Sequence, residues 1–312
     1  MINNNSLKLS NSNFLKLLEK CNLCPRKCLV NRLYGELGFC RASKDVKIAK
    51  VSLHHWEEPC ISGSKGSGTV FFSNCNLRCV FCQNYKISHE DFGKTVSINR
   101  LSEIFLEQQE RGALNINLVT PTHYVPQIIE ALKLAKDMGL NIPILYNSNG
   151  YENIDTIKSL RGLIDVYLPD LKYYKDKYAL KYSNAPNYFN VTRKVITEMV
   201  SQVGINTFDD SGIIQKGVII RHLMLPGLLF DSKKVIDFIY NTFNDSVYIS
   251  LMNQYTPMQD LTDYPEINKV LNPTHYETLI NYCIDLGITK CFIQENGTSS
   301  KAFIPKFDLS GV

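Results

Sequence analysis

Thr69-Val70-Phe71-Phe72-Ser73-Asn74-Cys75-Asn76-Leu77-Arg78-Cys79-Val80-Phe81-Cys82-Gln83-Asn84-Tyr85 carries a short apolar strand straight into three cysteines. Their C-x3-C-x2-C spacing lets three thiolates reach three corners of one iron–sulfur cubane, where an ordinary [4Fe–4S] protein supplies four. One iron would then lack a protein thiolate. An open position on a metal is a place for reaction rather than a structural staple. The competing readings are a zinc loop whose fourth ligand lies elsewhere, or buried thiols. A loop so dense in cysteine, placed at a strand end, speaks against both.

Downstream of this loop, short apolar runs alternate with helical patterns. Strands are predicted at 69–73, 115–119, 142–146, 164–168, 218–224, 247–252 and 291–294. An amphipathic helix over 126–138 places Ile128, Ala131, Leu132 and Ala135 on one face. Another over 233–243 does the same with Val235, Ile236, Ile239 and Phe243. Strand–helix alternation means βαβ units, a parallel sheet and right-handed crossovers. The expected class is therefore α/β, a full or partial (β/α) barrel with catalytic residues at the C-terminal ends of the strands. Pro-Thr-His-Tyr occurs at 121–124 and again at 273–276, where Thr122 and Thr274 read as helix caps.

Upstream, the cysteines thicken: of ten in 312 residues, only Cys283 and Cys291 lie beyond Cys82. Cys21, Cys24, Cys28 and Cys40 offer four soft ligands close together. That set suits structural Zn²⁺ or a second [4Fe–4S] cluster, with buried reduced thiols as the plain alternative. Residues 21–60 read as irregular and poor in apolar side chains, so a metal would help them fold. Cys60, beside His54, His55, Trp56 and Glu57, is a spare ligand or faces the active site. Ser62 to Gly68 reads as a flexible connector and not a phosphate loop, since the G-x4-GK[ST] order is absent. Cys283 and Cys291 read as core positions. The tyrosine-rich stretch 173–188 reads as a flanking amphipathic helix, with a lid or partner surface as the alternative.

Composition limits the partners. Lys plus Arg is 34 against Asp plus Glu 30, a net charge of +4. That predicts neither nucleic acid nor an anionic membrane as partner. Residues 1–14 lack the pattern of a signal peptide, and no run is long enough to span a bilayer. The expectation is a soluble, cytoplasmic protein, in which clustered cysteines mean metal more often than disulfide.

The loop and its position resemble the radical SAM superfamily. Within it, the sequence is most similar to uncharacterised iron–sulfur proteins related to pyruvate formate-lyase activating enzyme, over about residues 20–295. The resemblance implies a partial (β/α)6 barrel, residues 63–312, behind a cysteine-rich metal-binding segment, residues 1–62. It implies a [4Fe–4S] cluster on Cys75, Cys79 and Cys82 that cleaves S-adenosylmethionine (SAM) to a 5′-deoxyadenosyl radical. Phe81 would lie against the adenine. Asn149, Asp170, Lys172 and Arg221 match SAM-contacting positions, and Asn253 stands where the activating enzymes carry a histidine near the ribose. The family's Gly-Gly-Glu is replaced by Thr120-Pro121-Thr122-His123-Tyr124, so the Thr120 carbonyl or the Thr122 hydroxyl would take its role. His123 reads as a proton-transfer residue or as support from behind. The implied enzyme is an activating-enzyme-like oxidoreductase that takes its electron from a low-potential donor such as flavodoxin or ferredoxin. Its hydrogen atom would come from a glycine of a partner protein. Radical modification of a peptide or small molecule, and a non-enzymatic iron–sulfur electron carrier, are the alternatives.

Overall fold

The computed structural model describes residues 15–295 and 305–312; residues 1–14, read above for a signal peptide, lie outside them. The first strand, β1 (Val46–His54), is followed by a single helical turn, α1 (Pro59–Ser62), and by β2 (Ser67–Phe72). After the cysteine loop come α2 (Tyr85–His89), β3 (Lys94–Val96) and α3 (Ile98–Glu110). Then follow β4 (Ile116–Val119), α4 (Val125–Asp137), β5 (Ile144–Ser148), α5 (Ile154–Lys158) and β6 (Val166–Pro169). The rest is α6 (Asp176–Ser183), α7 (Tyr188–Val203), β7 (Thr207–Phe208), β8 (Ile214–Leu223), α8 (Leu229–Phe243), β9 (Tyr248–Met252), α9 (Pro273–Asp285) and β10 (Cys291–Ile293).

The sheet order is β10-β9-β8-β6-β5-β4-β2-β1-β3. From β2 to β10 the neighbours are parallel and, β3 and β7 aside, follow chain order. A helix returns the chain between most of them, which winds the sheet one way into a partial barrel. The predicted strands are all present with shifted ends. One expectation is corrected: residues 21–60 are not irregular throughout. Val46–His54 is a strand, antiparallel to β2 from Ile48↔Phe72 to His54↔Ser67. The predicted connector ends early too, because Ser67 and Gly68 already belong to β2.

Alternation along the strands separates two cores. Tyr146, Tyr167, Val218 and Ile220 face outward and pack with helix residues such as Ile128, Leu132, Val195 and Ile236. Leu145, Val166, Leu168 and Ile219 face inward and meet Cys60 and Ile61 of α1. A buried Leu or Ile stabilises by about 1.5–3 kcal/mol, so α1 is an apolar plug at the bottom of the barrel. Cys60 is thus a core residue among aliphatic side chains, neither a spare ligand nor a group facing the active site. Both threonine caps are also corrected. Asn272 caps α9, its side chain accepting from the Thr274 amide, and the Thr122 hydroxyl donates instead to Glu152 Oε1 at 2.7 Å.

Candidate active site

The three-cysteine loop crosses the top of the barrel between β2 and α2 and is tied down along its length. Asn74 and Arg78 take positive φ values of 77° and 56°, which bend the loop back on itself. The Val80 amide donates to Tyr182 O at 2.9 Å, and Asn76 Nδ2 donates to Tyr151 O at 2.6 Å. Cys75, Cys79 and Cys82 therefore face one cleft of about 370 Å³, within the range of small-molecule sites.

Every loop sulfur meets a donor. Ser183 Oγ donates to Cys79 Sγ at 2.9 Å, and Ser88 Oγ to Cys82 Sγ at 3.3 Å. The Leu77 amide reaches Cys75 Sγ at 3.4 Å, with Asn149 Nδ2 at 3.6 Å. Donors aimed at sulfur favour thiolate over thiol and tune the potential of a bound cluster. Burial acts the other way, pushing the Cys79 thiol up to about 12 and Cys82 up to about 11. Metal binding must therefore displace the protons. Three loop thiols at the wall of one cleft, each with a hydrogen-bond donor, are by their chemistry the donor set that three corners of a cubane take. Ser88 and Ser183 left no mark in the sequence.

Most of the expected SAM contacts converge here. Phe81, Thr120, Asn149, Asp170, Lys172 and Arg221 all line the cleft. Asn253 does not; its neighbours Met252 and Gln254 do. Asp170 and Lys172 form an ion pair at 2.5 Å with side chains 19% and 13% exposed, so it is not the freely hydrated surface pair that contributes little. Burial and the Asp170 charge act oppositely on Lys172, and the net effect raises its ammonium above the ordinary lysine range. Behind the pair, Tyr188 OH donates to the carbonyls of Asn149 at 2.9 Å and Asp170 at 3.0 Å. Tyr173, Tyr182 and Tyr188 are buried supports of the site, not a lid.

The Asn149-Gly150 pair has a steric reason. Gly150 has φ +74°, and a β-carbon there would lie 2.5 Å from Asp170 O, so only glycine lets the ends of β5 and β6 approach this closely. Thr120 has φ +58°, uncommon for a β-branched residue. The chain thus holds a glycine-like backbone turn at the place where the Gly-Gly-Glu motif was expected. Thr122 is buried and does not line the cleft, so the alternative of its hydroxyl as a contact is dropped. His123 is likewise turned away from the cleft. Its Nε2 donates to Ser73 O at 2.8 Å, and burial lowers its pKa to about 3, so it is neutral and no proton-transfer residue here.

Arg221 holds a larger surprise. Its Nε donates to Glu58 Oε1 at 2.9 Å, its Nη2 to Glu58 Oε2 at 2.5 Å and also to Glu57 Oε2. Glu57 Oε1 accepts from Asn117 Nδ2 at 2.8 Å. The carboxylates N-terminal to α1 are thereby clamped across the barrel between β4 and β8. Glu57, Arg221, His54, His55 and Trp56 share the cleft wall. The arginine matched in sequence; its two carboxylates, separated from it by 164 and 163 residues, did not.

The sequence pattern of the radical SAM superfamily matches residues 69–239, from β2 into α8. Uncharacterized protein MJ0674 of Methanocaldococcus jannaschii is 31% identical over 284 residues, covering 86% of this chain and 77% of its own. Among solved structures, SuiB of Streptococcus suis bound to S-adenosylmethionine aligns with TM-score 0.48 and 16% identity, over 72% of this chain and 48% of that one. A domain of pyruvate-formate lyase-activating enzyme from Bacteroides vulgatus aligns with TM-score 0.41 and 16% identity, over 55% and 92%. The chain spans about half the length of SuiB. With more than half of its residues inside the family pattern and a relative of this identity along most of its length, the chain belongs to the radical SAM superfamily and is an enzyme of that class.

Proposed function

We propose that this enzyme generates a 5′-deoxyadenosyl radical at the cleft and abstracts a hydrogen atom from a glycine of a partner polypeptide. The observation that carries the first half is the convergence of three thiolates, one short of a cubane, with the Asp170–Lys172 pair in one cleft. When bound, a [4Fe–4S] cluster supplies the electron for reductive cleavage of SAM. The remaining work belongs to the chain. Cys75, Cys79 and Cys82 would hold the cluster, supplying three thiolates where an ordinary cluster takes four. Lys172, fixed by Asp170, is placed for a charge-assisted contact to SAM, and Phe81 for its adenine. Val119 and Leu223 in the wall help exclude water. A low-potential one-electron donor such as flavodoxin or ferredoxin recharges the site.

Support for a polypeptide substrate lies at the mouth. A cleft of about 370 Å³ is of small-molecule size, so a second reactant would meet SAM from its approach. Trp56, 67% exposed, stands at that approach with His54 and His55. An aromatic–imidazole rim suits an extended peptide, and glycine, without a side chain, reaches furthest in.

Anaerobic reconstitution followed by dithionite and SAM should yield 5′-deoxyadenosine. With a partner bearing the target glycine, deuterium on its α-carbon should appear in the deoxyadenosine. A loaded cluster that never cleaves SAM would leave only an electron carrier. Cleavage with label from a peptide side chain or a small molecule would retain the radical chemistry and replace the glycine.

A further inference from the structure

Outside the cleft, the most demanding buried charge is Arg32. It is 1% exposed. Among the described residues its partners are the carbonyls of Ser43 and His123, the second at 2.7 Å, and Cys21 Sγ at 3.9 Å. No carboxylate joins them, yet a buried guanidinium without an anion costs several kcal/mol. Among the described residues, the sulfurs of Cys21, Cys24, Cys28 and Cys40 share its cavity and can supply that anion. With Arg32 and His123 they line one small cavity.

One further observation points to an occupant. The backbone is shaped around sulfur: the Phe39 amide donates to Cys28 Sγ at 3.3 Å. A β-carbon on Gly38 would lie 2.9 Å from the same sulfur.

We infer that Cys21, Cys24, Cys28 and Cys40 form a second, closed metal centre that takes a doubly charged thiophilic species, Zn²⁺ or [4Fe–4S]²⁺, with Arg32 as its buried counter-ion. Four thiolates around such a centre leave two negative charges; Arg32 and Arg26 bring two positive ones, and the exposed Lys27 at the same cavity adds a third. Arg26 also ties the centre to the catalytic loop. Its guanidinium lies 3.8 Å over the Phe39 ring. Its Nε donates to Asn76 O at 2.9 Å and its Nη2 to Ser183 O at 3.4 Å. Asn76 follows Cys75, and Ser183 is the donor to Cys79. The second centre therefore braces the loop that carries the first.

The test is elemental analysis of the full-length Cys75→Ala/Cys79→Ala/Cys82→Ala variant, reconstituted anaerobically with zinc alone or with iron and sulfide. About one zinc or about four irons per chain supports the centre and identifies it. Less than about a tenth of either overturns it. Should that variant not fold, the wild type decides: about eight irons, or four irons with one zinc, support the centre, whereas four irons alone overturn it. Arg32→Gln should release the metal to a chelator at least about tenfold faster, and Arg32→Lys should recover most of the retention. Equal release from wild type and Arg32→Gln would remove Arg32 as counter-ion. Deoxyadenosine formation by the wild type is scored separately, so failure here and failure of the radical chemistry are distinct results.

Discussion

The two cysteine sets solve the problem of holding sulfur in place by opposite means. Cys75, Cys79 and Cys82 sit on a loop between β2 and α2 and borrow their rigidity from the barrel: Tyr182 O, Tyr151 O and the Ser88 and Ser183 hydroxyls all reach in from elsewhere. Cys21, Cys24, Cys28 and Cys40 lie where the only regular element is a three-residue 3-10 turn, Arg32–Tyr34. Lys27, Leu29 and Arg41 there adopt positive φ values. Backbone so strained persists only when its surroundings over-determine it. A reactive site can be one ligand short because the scaffold fixes the rest, whereas a site that must order its own segment uses all its ligands.

The largest effect that would break this contrast is on catalysis. Cys79→Ala should abolish 5′-deoxyadenosine formation by at least about a thousandfold, with far-ultraviolet circular dichroism unchanged. A melted fold would mean the loop supports the barrel rather than the reverse. Next in size is the clamp that fixes the cleft wall. Arg221→Met strands two carboxylates inside the barrel and should cost about 3–5 kcal/mol in urea unfolding. A loss under about 1 kcal/mol would show that Glu57 and Glu58 are not held as described.

Two smaller effects sharpen the contrast. His222 is fully buried, with Nδ1 on Leu171 O at 2.7 Å and Nε2 on Ser232 Oγ at 2.9 Å. Burial lowers its pKa from 6.5 to about 4. The unfolded chain therefore binds the extra proton between those values, so the stability His222 confers is present above pH 6.5 and is lost as pH falls toward 4. That slope amounts to at most about 3 kcal/mol. His222→Gln should remove this share of the slope and leave the share of His123, whose pKa burial also lowers; a slope as steep as that of the wild type would remove His222 as a contributor. Lys172→Ala should weaken SAM binding, read by calorimetry, by about 1.5–3 kcal/mol, one to two decades, with iron content unchanged. Unaltered affinity would remove Lys172 from the site.

What the sequence made legible follows the range of the signal. The parallel strands, the helices between them and the cysteine loop are written in local periodicity and spacing. The Asn149-Gly150, Asp170 and Lys172 positions were legible through the resemblance to the family's motifs at the ends of strands β5 and β6. Strand β1 was hidden because cysteine density on its N-terminal side made the whole segment look irregular. Glu57 and Glu58 meet Arg221 only through closure of the barrel, and Ser183 reaches Cys79 across 104 residues. No local pattern encodes such pairs. For His123 the sequence left proton transfer and support from behind both open, and its bond to Ser73 O agrees with support: the chain says which strand precedes it, not which way the next turn faces.

The α1 plug bears on the order of events in turnover. With Cys60 and Ile61 packed among Leu145, Val166 and Leu168, the barrel floor is shut among the described residues, which leaves the opposite end of the barrel as the way into the cleft. A one-ended vestibule imposes a queue. Whatever binds deepest must enter first and depart last, so steady-state kinetics should follow a compulsory order, with the inner ligand trapped until the outer one leaves. A substrate added before SAM would then act as a dead-end inhibitor, and the concentration at which inhibition sets in would measure how completely the outer ligand seals the mouth.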